Sequence, residues 1–169
     1  KYNYLGFTFT TMLSSKQGTD PLVAKAKKAI YFLCRAFQKC KEMTRRSFFK
    51  VFDAKILPIL LYSSEIWGHQ TLDSVERVHL LACKRFLGVP VCTPNKLVYG
   101  ELGRYPLYVN CYIRCIKYWF RLLHLNENRL PNQAYRMLVN LDENGKDCWA
   151  TKIRHILSNA GFYSVWLFQ

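Results

Sequence analysis

The sequence predicts a mainly α-helical chain: an N-terminal β-strand or hairpin, a multi-helix bundle, and then a second helical unit. Three observations predict it. Apolar residues recur at three- and four-residue steps along most of the chain, the period of one helix face. Only Tyr2–Thr10 (YNYLGFTFT) alternates roughly and is rich in aromatic and β-branched residues, which suits a strand. Half of the 169 residues are hydrophobic, enough to bury a core in one domain or two small ones and too many for a disordered tail.

Taken in order, Gly6 interrupts the first strand and suggests a bulge or a close backbone approach. Ser14–Gly18 reads as a turn, and Thr19-Asp20-Pro21 as a helix start with proline at the first helical position. From Pro21 to Lys41, Leu22, Ala26, Ala29, Ile30, Leu33, Phe37 and Cys40 share one face. The opposite face collects Lys25, Lys28, Phe32, Arg35 and Lys39. A basic row holding an aromatic suits a phosphate backbone, with Phe32 placed to rest on a sugar or a base. A plain solvated face is the alternative, and the lack of acids between Asp20 and Glu42 weighs against it.

Glu42-Met43-Thr44 breaks the chain, and Thr44 caps a second helix running to Leu57 with Phe48, Phe52, Ile56 and Ile59 inward. Arg45 and Arg46 fall in its first turn, where the helix dipole disfavours cations. A phosphate held between them and the free amides explains that placement; two exposed, screened arginines explain it equally well. Ile56–Gly68 (ILPILLYSSEIWG) is the least polar run, and Pro58 should end or kink the helix at Leu57. The run is shorter than the about 18 apolar residues of a membrane span, so it reads as a buried, kinked element.

Asp73 and Glu76 open the next helix as a capping-box variant; Val75, Val78, His79, Ala82 and Phe86 face inward, and Gly88 ends it. His79 and Cys83 have the spacing of a metal pair, but no second pair accompanies them. His79 therefore reads as a hydrogen-bonded core residue and Cys83 as a small apolar one. Thr93-Pro94 starts a short helix to Tyr99, and Gly100–Pro106 is a turn-rich connection. The longest helix of the second half runs from Leu107 to Leu125. Val109, Ile113, Ile116, Phe120 and Leu123 form one stripe; Tyr108, Tyr112, Cys115, Trp119 and Leu122 form another. Its third face carries Arg114, Lys117 and Arg121, a second candidate phosphate contact, with a plain solvated face the preferred reading. Asn126–Asn132 is a loop, Ala134–Leu141 a short helix, Asp142–Gly145 a turn, and Lys146–Asn159 an amphipathic helix ended by Gly161. It directs Trp149, Ile153, Ile156 and Leu157 inward and Lys152 and Arg154 outward. The chain divides most naturally near Gly68–Leu72, into 1–68 and 69–169.

The net charge of +14 points to a polyanionic partner. Residues 1–60 carry 12 Lys/Arg against 3 acids, and residues 61–169 carry 13 against 8. The first third is thus the stronger candidate for a nucleic-acid face. Seven cysteines without a C-x-x-C pair argue for reduced thiols and an intracellular protein, nuclear or cytoplasmic. No signal peptide or membrane segment is evident, so no membrane partner is expected. The chain begins without Met and stops in the apolar run Trp166-Leu167-Phe168, as a fragment cut at both ends would.

Tyr4-Leu5-Gly6-Phe7, the run Ile56–Gly68, Gly100-Glu101-Leu102-Gly103-Arg104 and Pro106-Leu107 occur in an order that resembles LINE-type (non-LTR) retrotransposon reverse transcriptases. Each match is short; their order and spacing carry the resemblance. In that family a "YLG" strand closes the catalytic palm, a basic three-helix thumb follows, and an L-P-x-L-x-Y-x-x-E-x-W-like stretch comes next. The resemblance implies that Tyr4-Leu5-Gly6 is the palm-edge strand. It also implies that the helix from Pro21 to Lys41 faces the template–primer duplex through Lys25, Lys28, Arg35 and Lys39. RNA and DNA would be the partners, together with the palm and fingers of the same polypeptide.

Nucleotidyl transfer needs carboxylates that hold two divalent metals. The acids here are scattered, and the family's Asp-Asp motif is absent and would lie upstream of Lys1. The fragment is therefore expected to be non-catalytic and to need no cofactor, Mg2+ being expected only in the missing palm. No P-loop, G-x-S-x-G, H-E-x-x-H or zinc-knuckle spacing occurs either. The alternative is a domesticated or degenerate helical scaffold that binds protein rather than nucleic acid.

Overall fold

The computed structural model describes residues 2–4, 6–9, 15–39, 44–70 and 73–168. The fold is mainly α, as the periodicity predicts, with one short hairpin at its start. Leu5, Cys40 and the Glu42-Met43 break lie outside the described residues. The chain forms two compact units whose boundaries differ from a single cut at 68/69. The first gathers Lys1–Tyr62 and Leu72–Leu107; the second gathers Ser63–Thr71 and Tyr108–Gln169. The first change of unit falls at Ser63, which adopts φ 56, a left-handed conformation unusual for a residue with a side chain.

In the first unit, β1 (Tyr2–Tyr4) and β2 (Phe7–Phe9) pair antiparallel in the register Tyr2↔Phe9, Tyr4↔Phe7. Gly6, at φ 84, is thus a turn residue rather than a bulge within one strand. Helix α1 (Ser15–Lys39) begins six residues before the expected start, so Pro21 lies inside it and Ser15–Gly18 is helical, not a turn. A tertiary contact accounts for the extra turns: the Phe7 ring lies over Gly18, where an added Cβ would come within 2.3 Å of it. Leu22, Ala26, Ile30 and Leu33 form the buried face of α1, as their spacing requires.

Thr44 caps α2 (Arg45–Val51), its side chain accepting from the Ser47 amide at 3.3 Å. The expected break at Pro58 takes another form. A π-helical turn, Phe52–Ile56, follows α2 and leads directly into α3 (Leu57–Leu60). Proline cannot donate, and in an α-helix its ring meets the carbonyl four residues back. The wider turn, closed by the Leu57 amide on the Phe52 carbonyl, accommodates it without ending the helical path. The short α4 (Ser64–Trp67) belongs to the second unit.

Helix α5 (Asp73–Leu87) packs on α1 and ends at Gly88, φ 67, with the Val89 amide bonded to the Lys84 carbonyl. Helix α6 (Asn95–Leu102) runs through Gly100, past the expected end at Tyr99, and stops at Gly103, φ 61. Between them the buried Lys84 ammonium donates to the Val91 carbonyl at 2.6 Å and holds the connection.

The second unit contains α4, most of α7 (Leu107–Leu123), α8 (Leu130–Glu143), α9 (Trp149–Asn159) and α10 (Tyr163–Leu167). Its core joins Cys115, Trp119, Leu122, Tyr135, Ile153, Leu157 and Trp166. The Trp119 indole donates to the Tyr135 hydroxyl at 2.7 Å and stacks on Trp166 at 5.7 Å. Of the two stripes expected on α7, the second is buried at Cys115, Trp119 and Leu122, while its first members Tyr108 and Tyr112 stay exposed and half-buried; Ile113 and Phe120 of the first stripe stay exposed. Helix α8 is longer than expected because Pro131 opens it, and Asn132 turns back to donate to the Leu122 and Leu125 carbonyls. Arg154, expected to point outward, instead pairs in bidentate fashion with Asp142 at 2.9 Å and ties α9 to α8.

Candidate nucleic-acid interface

The geometry of α1 follows from its sequence. Burial of Leu22, Ala26, Ile30 and Leu33 leaves Lys25, Lys28, Phe32, Arg35 and Lys39 on the outer surface, all exposed. At 1.5 Å per residue the row from Lys25 to Lys39 extends about 21 Å along the helix. Lys27 adds a further exposed cation beside it. Among the described residues no salt bridge engages any of these side chains, so their charge is available to a partner. Phe32 is 77% exposed, which removes any packing role for its ring.

Next to this row, Arg85 of α5 lies over the exposed Tyr31 ring, 4.4 Å from its centroid. The buried Cys34 thiol is pushed above its ordinary value by burial, against the opposing influence of Arg85.

The remaining candidates are placed differently. Arg45 spends one of its donors on the Glu101 carbonyl at 3.3 Å, while Arg46 is exposed. Both belong to the same unit as α1. Arg114, Lys117 and Arg121 form a row on α7 in the second unit. Lys117 and Arg121 are exposed and Arg114 is half-buried.

A second polar centre of the first unit is built round the fully buried His79. Arg104 directs Nη1 and Nη2 to Asp53 Oδ2 and Oδ1 at 3.1 and 2.5 Å, and Nε to His79 Nε2 at 3.1 Å. Its guanidinium also lies 4.6 Å from the centroid of Phe49. The His79 ring stands between Phe52 and Tyr99, each 5.7 Å away. Glu76 faces His79 Nδ1 at 3.2 Å, accepts from the Leu107 amide at 2.7 Å, and takes the Tyr99 hydroxyl hydrogen bond. Burial alone would raise the Glu76 carboxyl; the hydrogen bonds from His79, Tyr99 and the Leu107 amide outweigh it and hold the group below its ordinary value. Burial raises the Tyr99 hydroxyl, with the Glu76 carboxylate adding to it, and drives the Cys83 thiol up to about 12.

His79 is therefore the hydrogen-bonded core residue its position suggested. Glu76 is not a capping carboxylate but the tie between α5, α6 and the start of α7. Among the described residues no three His, Cys, Asp or Glu side chains group to hold a metal ion, and no helix is long and apolar enough to cross a membrane. Set against protein-family models, curated proteins and solved structures, the chain matches none.

Proposed function

We propose that this chain is the thumb and post-thumb region of a LINE-type reverse transcriptase, and that α1 grips the backbone of the template–primer duplex. The observation that supports this most is the row Lys25, Lys28, Arg35 and Lys39, exposed on one side of α1 and unopposed by carboxylates. Phosphate contacts of this kind position a duplex without reading its bases. Asp20, in the second turn of α1, is the helix's single acid and precedes the row. The Arg104–Asp53–His79–Glu76 cluster would act only as a brace that ties the π turn, α5, α6 and the start of α7 together. The polymerase chemistry and its Mg2+ belong to the palm of the parent protein in this reading.

Binding to an RNA–DNA hybrid and to unrelated duplex DNA across a salt series tests it. Similar affinity for both, with a steep loss as salt rises, is expected for a backbone grip. The triple variant Lys28→Glu, Arg35→Glu, Lys39→Glu should remove most of that binding while leaving the unfolding transition in place. Unchanged binding by this variant would sink the reading and favour a protein-interaction scaffold.

A further inference from the structure

We infer that the second unit carries a separate site for single-stranded nucleic acid, in the cleft between α7 and α9. The cleft encloses about 360 Å³, and its floor is formed by Tyr108, Tyr112, Ile113 and Ile116 of α7, with Lys152 and His155 of α9 at its edge. The two tyrosine rings meet edge to face at 5.5 Å. Tyr108 is 46% and Ile113 45% exposed, so the helix keeps apolar and aromatic surface in solvent beside a well-filled core. Isolated exposed apolar residues are ordinary; several lining one cleft mark a place where something docks.

Charge selects the occupant. Neither α7 nor α9 contains an Asp or Glu. Continuing round α7 from Ile113, the next row is Arg114, Lys117 and Arg121. Lys152 thus lines the cleft from α9, and the Arg114, Lys117 and Arg121 row lies beside its floor on α7. Lys152 is held by Asp147 at 2.6 Å, but both partners are substantially exposed, and such surface pairs are weak enough for a phosphate to displace. An aromatic floor with cationic margins, where the neighbouring Asp147 carboxylate is already drawn to Lys152, is an arrangement that stacks unpaired bases while holding their backbone. A duplex hides its base faces within its own stack, so the tyrosines select an unpaired strand. This site lies in a different unit from α1 and does not depend on the duplex reading.

The test is fluorescence anisotropy of the whole chain with labelled RNA and DNA strands of about twelve nucleotides, and with an abasic strand of equal length. Base-containing strands of either sugar should bind at least about fivefold more tightly than the abasic one. The pair Tyr108→Leu, Tyr112→Leu should erase that difference and leave duplex binding alone. The α1 triple variant should leave the base-dependent difference intact. Photocrosslinking of a thiouridine-containing strand to the unaltered chain should place links on Tyr108, Tyr112 or α9, whether or not the double variant folds. Equal affinity for the abasic strand, or crosslinks confined to other elements, would overturn the proposal. So would base-independent binding combined with self-association that the tyrosine pair abolishes, which would assign the cleft to a second copy of the chain.

Discussion

Arg104 donates from Nε to Nε2 of His79 at 3.1 Å, in a position where His79 has no exposed surface. A guanidinium has only donors, so this ring nitrogen must accept. The ring proton then sits on Nδ1 and is donated to Glu76 Oε1 at 3.2 Å. One hydrogen bond thereby fixes the tautomer of a buried histidine and the direction of the chain of bonds beyond it. Nitrogen-15 correlation spectra should show His79 as the neutral Nδ1–H form in the intact chain. An Nε2–H signal for this residue would contradict the geometry.

Replacing Arg104 by alanine removes the Asp53 pair, the His79 donor and the contact over Phe49 together. Asp53 is nearly half exposed and can be rehydrated, so most of the cost comes from His79, left buried without a donor. A loss of about 2 kcal/mol is expected in urea unfolding. Asp53→Asn should cost well under half of that, because water replaces its lost partner.

Glu76 sets an acid limit on stability. Its carboxyl titrates below its ordinary value of 4.5 in the folded chain, so the unfolded chain takes up the proton more readily. Its contribution is complete above 4.5 and drains away as pH falls through the lower folded value. Glu76→Gln should lower stability at neutral pH and flatten the fall between neutral and acid conditions. An unchanged acid limb in that variant would show that other carboxylates set it.

Gly18 should be intolerant of any side chain. An added Cβ would lie 2.3 Å from Cζ of Phe7, so Gly18→Ala must displace the ring or the helix. A loss of about 1–3 kcal/mol is expected. Phe7→Leu should relieve part of it when the two changes are combined, a coupling that a double-mutant cycle reads directly.

Single neutral replacements along α1 offer a graded check of the duplex grip. Each of Lys28→Ala, Arg35→Ala and Lys39→Ala should reduce the slope of log affinity against log salt by about 0.9. Stability should move by no more than about 0.5 kcal/mol, because the positions are exposed and unpaired among the described residues.

Local patterning foretold the faces of α1 and α5, the Thr44 cap and the glycine stop at Gly88, because each depends on neighbours a few residues away. The early start of α1 could not be read. Asp20-Pro21 carries a genuine local start signal, and the turns before it are held by Phe7, a contact outside any local window. The role of Arg104 was hidden for the same reason, since its partners Asp53 and His79 stand 51 and 25 residues away. Glu76 had a sufficient local explanation as a capping residue, which obscured its bonds to Tyr99 and Leu107. Pro131 is the reverse: it is a usable local start signal for α8, set inside Asn126–Asn132, whose polar residues have the composition of a loop.

The π turn at Phe52–Ile56 makes the path from Arg45 to Leu60 sensitive to the number of its residues more than to their identity. Asp53, Ala54 and Lys55 are exposed, so substitutions at Ala54 or Lys55 should pass almost unnoticed. Deleting Ala54 would let the segment relax toward an ordinary α-helix, but it would rotate everything on one side by about 100° relative to the other. Phe48 and Phe49 could then no longer face the core together with Leu60 and Leu61. A missing codon here would be far more damaging than a changed one.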